Sequence, residues 1–169
     1  MMLTELEKNQ FRKAMSHFAT GIAIVTGRDR NEVHGMTCNA FCSISLSPML
    51  VLISLSQDTR TQRIIEAGRI FAVNFLNNQQ SGLADRFAGR DKNCELDRFA
   101  GVDWTTAITG APILKNSMAY VDCRVANAIA LGGHVLFFGD ALAAYYEERM
   151  RPLIFFQSQY MTVDRSMVV

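Results

Sequence analysis

Near the start of the chain, the spacing of apolar residues changes from that of a helix to that of a strand. Behind a capping-box pair, Thr4 and Glu7, apolar residues recur at i, i+3, i+4 and i+7 and predict an amphipathic helix that stops near Gly21. Strands are then predicted over 22–26, 33–41, 49–55 and 70–76, and short helices, each ended by a glycine, over 59–67 and 79–88.

The second half of the chain is predicted to be mostly strand. The charged stretch 90–103 has no period and is interpreted as a surface loop, and Gly132-Gly133 is the expected turn between the two longest strands. Strands are predicted over 102–108, 118–130, 135–145, 153–157 and 160–163. Many short strands with few helices favour a closed or nearly closed antiparallel barrel. Without repeats or linkers, residues 1–169 are expected to form one domain.

Composition excludes several classes of protein. Of 169 residues, 49% are hydrophobic, and 17 Lys and Arg are balanced by 16 Asp and Glu. The apolar share is too high for a disordered chain, and the balanced charge lacks the basic excess by which proteins bind nucleic acid. So much apolar surface on a short chain favours an apolar dimer face, an enclosed large flat ligand, or both.

Neither a membrane span nor a secretory signal is predicted. The uncharged stretch 33–57 is rich in Ser and Thr and contains Pro48, and the first 13 residues carry charges where a signal peptide is apolar. We therefore expect a cytoplasmic protein. The cysteines form no CxxC pair and are expected to be reduced structural thiols; they are Cys38, Cys42, Cys94 and Cys123.

A hydroxyl-rich series is the main candidate for chemistry, since the GxSxG, HExxH, GxGxxG and P-loop motifs are absent from the sequence. Alternate hydroxyls after Thr37 on a strand offer donors to a polar ring edge, and Thr59-Arg60-Thr61 opens a helix whose free amides suit a phosphate. The series indicates a ligand with a heteroaromatic head and a phosphate tail. The alternative is a solvated strand face with Thr59 as a helix cap.

Two further residues have both a functional and a structural interpretation. His134 follows the glycine turn and either contacts a ligand or donates to a carbonyl within the turn. Arg90 follows a predicted helix and either pairs with a phosphate or complements the helix dipole. The sequence leaves both alternatives open.

Several short motifs occur in one order along nearly the whole chain. The longest is HGMTCNAFCSIS over residues 34–45, preceded by Thr20-Gly21 and followed by Phe87-Ala88-Gly89, Arg98-Phe99 and Gly133-His134. This order resembles the short-chain flavin reductase family. The family includes the reductase components of two-component aromatic monooxygenases such as 4-hydroxyphenylacetate 3-monooxygenase.

The resemblance implies a mainly β fold with flanking helices, the split β-barrel FMN-binding fold with an antiparallel Greek-key barrel. It implies a homodimer that oxidises NADH or NADPH and reduces FMN or FAD. The reduced flavin is expected to pass to a separate flavin-dependent oxygenase. The resemblance implies no residue that acts as a catalytic acid or base. It also implies no metal ligand.

The resemblance also implies a cofactor site. The residues expected along the flavin ring are Thr37, Cys38, Asn39 and Ala40. Those expected at the ribityl chain and phosphate are Ser54, Leu55, Ser56, Thr59, Arg60 and Thr61, with His134 near the nicotinamide. The expected set is completed by Phe87, Arg90 and Tyr160.

One departure from the family pattern bears on the choice of nicotinamide. Many relatives have Gly-Asp-His where this chain has Gly132-Gly133-His134, so a carboxylate beside the nicotinamide site is missing. The preference between NADH and NADPH therefore stays open. Two alternative functions also stay open: a non-catalytic flavin- or haem-binding split-barrel protein, and a reductase that retains its flavin and acts on another acceptor.

Overall fold

Antiparallel strands make up most of the regular secondary structure. The computed structural model describes residues 4–92 and 97–163. Its helices are α1 (Glu5–Ser16), α2 (Arg60–Gly68) and α3 (Ser81–Phe87). Its strands are β1 (Thr20–Gly21), β2 (Ala23–Asp29), β3 (Glu32–Cys38), β4 (Phe41–Leu46), β5 (Met49–Ser56), β6 (Ile70–Phe75), β7 (Trp104–Thr105), β8 (Ile113–Leu114), β9 (Ala119–Leu131), β10 (His134–Tyr146), β11 (Ile154–Phe156) and β12 (Gln159–Met161). No helix in these two ranges is long and apolar enough to cross a membrane.

Seven strands form one sheet in the order β3-β2-β6-β9-β10-β5-β4, and every neighbouring pair is antiparallel. The longest strands, β9 and β10, are joined by Gly132 and Gly133, both with positive φ, as the sequence predicts for this turn. Strands β3 and β4 are the two edges, and no ladder joins them within the described residues. The mainly β architecture with flanking helices is confirmed, but the sheet is open rather than closed.

Close packing against the sheet fixes the position of α2. Ile65 on α2 is buried in the same core cluster as Phe71 and Phe137 from the sheet. At the end of the helix, a Cβ on Gly68 would overlap the backbone carbonyl oxygen of Arg28 on β2. Only a residue without a side chain permits this approach, which sets the distance of the whole helix from the sheet.

The prediction of one strand over 33–41 is wrong, because the chain crosses from one edge of the sheet to the other within this range. Cys38 pairs with Ala23 at one edge, whereas Phe41 pairs with Ile53 at the other. Residues 39 and 40 connect the two strands and belong to neither. This break leaves two exposed residues between β3 and β4, where the sequence predicts a continuous strand.

Other predicted boundaries also need correction. Helix α1 ends at Ser16, since the amide of His17 turns back to the carbonyls of the last turn, and Gly21 belongs to β1 instead. Arg69, rather than the expected Gly68, takes the left-handed conformation after α2. The strand predicted over 102–108 is reduced to β7, which pairs only with the unpredicted β8. Residues 93–96 of the predicted loop, including Cys94, lie outside the described residues.

None of the side chains of helix α1 is buried against the described part of the chain. The predicted capping box is confirmed: Glu7 N donates to Thr4 Oγ1 at 3.2 Å, and Thr4 N donates to Glu7 Oε2 at 2.7 Å. Phe11 and Met15 on the helix, and Phe18 just beyond it, remain more than half exposed. We call these three residues the apolar stripe. An amphipathic helix without a core to pack against needs another apolar surface.

Candidate active site

Five of the predicted site residues meet in one cleft between β3, the start of α2 and the end of α3. The cleft has a volume of about 540 Å³, and we call it the polar cleft. The predicted residues that line it are Thr37, Thr59, Arg60, Thr61 and Phe87. His34, Met36, Ala88 and Arg98 complete the lining.

The first turn of α2 lines this cleft. Thr59 is the N-cap, as predicted: its hydroxyl accepts from Gln62 N at 3.3 Å and donates to the carbonyl of Ser56 at 3.0 Å. The remaining amides of the first turn have no acceptor within the helix and carry its partial positive charge. The start of α2 is therefore suited to an anionic group.

A buried hydrogen bond joins β3 to α2 at the floor of the polar cleft. His34 Nδ1 lies 2.8 Å from Thr61 Oγ1, and both side chains are buried, with 8% and 1% exposure. Burial, and then the positive charges of Arg98 and Arg60, lower the pKa of His34 to about 4. His34 is therefore a neutral hydrogen-bonding residue at neutral pH.

The low pKa of His34 predicts that stability falls as the solution becomes acidic. Between pH 6.5 and about 4 the unfolded chain protonates this histidine but the folded chain does not, so lowering the pH favours unfolding. We expect His34 to account for a loss of about 2–3 kcal/mol over this range. Denaturant unfolding at several pH values measures it, with His34→Gln as the variant that should flatten the dependence. Identical pH slopes for both proteins would contradict the assignment.

Two arginines of the polar cleft differ in their partners. Arg60 Nε forms an ion pair with Glu32 Oε1 at 2.8 Å. Arg98 instead donates to two backbone carbonyls, those of Gly35 at 3.1 Å and Phe87 at 2.8 Å. The cleft thus contains one paired arginine and one whose described hydrogen-bond partners are uncharged.

A smaller cleft of about 160 Å³ continues from Thr37 along β3. Among the predicted residues, Cys38, Asn39, Arg90 and Tyr160 line it. Tyr160 Oη donates to Asp85 Oδ1 at 2.9 Å, and Arg90 Nη1 donates to the same oxygen at 2.8 Å. Burial and the bond to Asp85 raise the pKa of Tyr160. The charge of Arg90 is thus paired within the chain.

A third depression, of about 400 Å³, lies at the β3–β4 connection, and we call it the apolar groove. Asn39, Ala40 and Ser54 line it together with Phe41 and two members of the apolar stripe, Met15 and Phe18. The amides of Asn39 and Ala40 donate to no acceptor within residues 4–92 and 97–163. Since Thr37 borders the first two depressions and Asn39 borders the last two, the three form one continuous surface.

The remaining predicted residues are placed differently. Leu55 is 1% exposed in the core, so its side chain is not at the surface. Burial raises the pKa of Cys38 to about 11, which leaves it an unreactive thiol. His134 lies outside the three depressions, opposite Ser56 in the β5–β10 ladder, with Nε2 3.4 Å from Ser56 Oγ. It thus adjoins the loop that leads into α2.

Comparison with known proteins assigns the family. The model of the flavin reductase-like domain matches residues 15–164. The chain belongs to the flavin reductase-like family. Over 159 residues it is 35% identical to the reductase subunit HsaB of a flavin-dependent monooxygenase from Rhodococcus jostii, covering 94% of this chain and 80% of that protein.

Solved structures agree with this flavin reductase-like assignment and with the split-barrel fold. Component B of nitrilotriacetate monooxygenase from Mycobacterium thermoresistibile superposes with a TM-score of 0.89 at 31% identity, covering 97% of this chain and 90% of that one. The NADH:FAD oxidoreductase SgcE6 of Streptomyces globisporus, in complex with NAD and FAD fragments, gives 0.88 at 29% identity, with 99% of each chain covered.

For this flavin reductase-like domain, the sequence assigns no role to one residue of the polar cleft, Arg98. His34 is a candidate with the same two interpretations as His134, ligand contact or a structural hydrogen bond, and is not part of the expected cofactor site. Both residues belong to motifs on which the family resemblance rests. Arg98 reaches the cleft from a loop that follows α3, and the carbonyl of Gly35 that it contacts is 63 residues away in sequence. Such a contact has no local sequence signal.

Proposed function

We propose that this chain is a cytoplasmic NAD(P)H-dependent flavin reductase, which reduces FMN or FAD and supplies the product to a separate flavin-dependent oxygenase. The observation that carries the proposal is the continuous surface from the polar cleft to the apolar groove. It offers cationic and hydroxyl groups at one end and apolar side chains with free amides at the other. Similarity to a monooxygenase reductase subunit and to an NADH:FAD oxidoreductase supports the same activity.

The polar cleft suits the phosphate end of a flavin. Arg98, the hydroxyls of Thr59 and Thr61, and the first-turn amides of α2 all converge there. Hydrogen bonds from such donors to a phosphate are charge-assisted and stronger than those between neutral groups.

The apolar groove suits the ring end. Phe18, Phe41 and Met15 offer apolar surface for one face of a flat ring, and the exposed residues Asn39 and Ala40 line the same groove. Amides in this position would hydrogen-bond the polar edge of the ring and favour the negative charge it acquires on reduction. The nicotinamide and the flavin supply the hydride chemistry, so the chain need only bind and orient them.

A homodimer is part of the proposal. The apolar stripe of α1 is exposed on the isolated chain and borders the apolar groove. A second copy that covered it would bury apolar surface and close the ring end of the site in one step. Light scattering is expected to give about twice the 18.9 kDa mass of the chain.

His134 is proposed to lie close to the nicotinamide. Replacing His134 by alanine should raise the KM for NADH about five- to tenfold while leaving the Kd for flavin nearly unchanged, because the residue adjoins the α2 loop without lining the polar cleft. Steady-state kinetics and flavin titration of the same preparation provide the comparison. Equal effects on both constants would mean that His134 supports the loop rather than the nicotinamide.

The activity itself is tested by mixing the purified protein with each pairing of FMN or FAD with NADH or NADPH. Oxidation of the nicotinamide should require added flavin and should continue for many turnovers. A protein that isolates yellow and does not respond to added flavin would instead fit the alternative in which flavin is retained. If no pairing supported turnover, the reductase assignment would fail.

A further inference from the structure

Helix α1 is attached at its C-terminal end to the turn between β11 and β12. The amide of Gln157 in this turn donates to the carbonyl of Ser16 at 2.8 Å. Gln157 Nε2 lies 2.9 Å from His17 Nε2, and the His17 ring meets the ring of Phe156 edge-on, with centroids 6.1 Å apart. We call the side-chain contact between His17 and Gln157 the latch. It joins the rest of the chain to a helix whose own side chains are not buried against the described residues.

The hydrogen bonds of His17 fix which ring nitrogen carries the proton. Nδ1 lies 2.7 Å from the carbonyl oxygen of Lys13, and a carbonyl can only accept, so Nδ1 donates. Nε2 then accepts from the side-chain amide of Gln157. One nitrogen is thus bonded within α1 and the other across to the β11–β12 turn. The imidazole therefore ties the last turn of the helix to that turn.

The β11–β12 turn has a backbone conformation that its residues disfavour. Gln157 and Ser158 have φ values of 48° and 64°, in the left-handed region that glycine favours. Side chains remain in this region where surrounding contacts hold them there. At Gln157 those contacts are the bonds of its amide to Ser16 and of its side chain to His17. The turn and the end of α1 thus hold each other in place.

The latch determines where Phe18 lies. Phe18 follows His17 directly, and its amide donates to the carbonyl of Met15 at 3.1 Å, so it continues the last turn of α1. Phe18 and Met15 line the apolar groove, and Phe18 also lines a neighbouring cavity of about 280 Å³. Their exposed fractions are 73% and 54%, so burial in the described core does not fix them. Their position follows from that of the helix end.

We propose that His17 is a positioning residue, which holds Phe18 and Met15 at the ring end of the flavin site through its contact with Gln157. The inference rests on the proposed function. Without the latch, α1 would depend on its own stability, which is marginal in water for a helix of 12 residues. The apolar surface offered to the flavin ring would then be displaced. The polar cleft would stay intact, because residues of β3, α2 and α3 and the side chain of Arg98 form it.

The test compares three substitutions of His17. His17→Ala removes both hydrogen bonds, His17→Asn keeps the reach of Nδ1 to Lys13, and His17→Gln keeps the reach of Nε2 to Gln157. Flavin titration uses FMN and lumiflavin, which has the flavin ring without the ribityl phosphate. Alanine and asparagine should raise the Kd for both flavins by the same factor, about 3- to 10-fold, and glutamine should restore most of the affinity.

Amide hydrogen exchange over Glu5–Ser16 reports on the latch without any flavin. Exchange in α1 should be faster in His17→Ala and His17→Asn than in the wild type, whereas the strands of the large sheet should be unaffected. Ser158→Gly is the matched control, since it relaxes the other left-handed residue of the turn and leaves both latch residues in place. It should keep the wild-type exchange and the wild-type Kd values.

Three results would overturn the role of His17. Unchanged exchange in His17→Ala would mean that another contact, such as a second copy of the chain, holds α1. Faster exchange with an unchanged Kd for lumiflavin would mean that the helix end does not contact the ring. A loss for FMN alone would place the effect at the phosphate end. NADH oxidation by the wild type tests the proposed function separately, because lumiflavin binding that depends on His17 without oxidation would refute the reductase and leave His17 as a positioning residue.

Discussion

Replacing Gly68 by alanine should lower the free energy of unfolding by about 3 kcal/mol. The added methyl group would overlap the backbone carbonyl of Arg28, which cannot rotate away as a flexible side chain can. Helix α2 must therefore move away from β2. Since Thr59 and Thr61 move with it, FMN affinity should fall together with stability. Denaturant unfolding and flavin titration measure the two effects.

Gly82 on α3 provides the matched control. It too is a helical glycine, but a Cβ there would have no atom within 4 Å. Gly82→Ala should therefore be neutral or stabilise the protein by up to about 1 kcal/mol, as expected for a better helix former. If the alanine at position 68 were tolerated as well as the one at position 82, the described packing of α2 on the sheet would be incorrect.

Replacing Thr61 by valine should weaken FMN binding about tenfold and lower the free energy of unfolding by about 1–2 kcal/mol. Valine keeps the shape of the side chain and removes its hydroxyl. The binding loss follows from the loss of a hydroxyl that lines the polar cleft, and the stability loss follows because the buried Nδ1 of His34 is left without its partner.

Thr105→Val is the control for this substitution, because Thr105 is exposed on β7 and lines none of the three depressions. Affinity and stability should both remain at the wild-type level in it. An unchanged Kd for FMN in Thr61→Val would remove Thr61 from the phosphate site. An unchanged free energy of unfolding would mean that its bond to His34 contributes nothing.

Local patterns were sufficient to predict the elements that position the site. The N-cap of α2 follows from a threonine before a helical run, and the β9–β10 hairpin follows from two glycines between long apolar segments. Both features depend only on neighbouring residues. The candidate hydroxyls Thr37, Thr59 and Thr61 meet in one cleft because the two segments that carry them are held on the same sheet.

Features that depend on distant contacts were not predictable. The break at Asn39 and Ala40 arises because β3 and β4 pair at opposite edges of the sheet, although the residues themselves are compatible with a continuous strand. The hydrogen bond of Thr61 to His34 likewise joins residues 27 positions apart, so the stability cost of losing it has no local sequence signal. Arg60 and Arg90 were the expected phosphate ligands, but their ion pairs become visible only in three dimensions.

We propose that this chain reduces a flavin and then releases it. The most direct measurement is anaerobic reduction of excess FMN by NADH in the presence of a catalytic amount of protein, followed by the absorbance of both compounds. We expect many equivalents of FMN to be reduced per chain, with one NADH consumed for each. Reduction that stopped at one equivalent, or that did not occur, would contradict it.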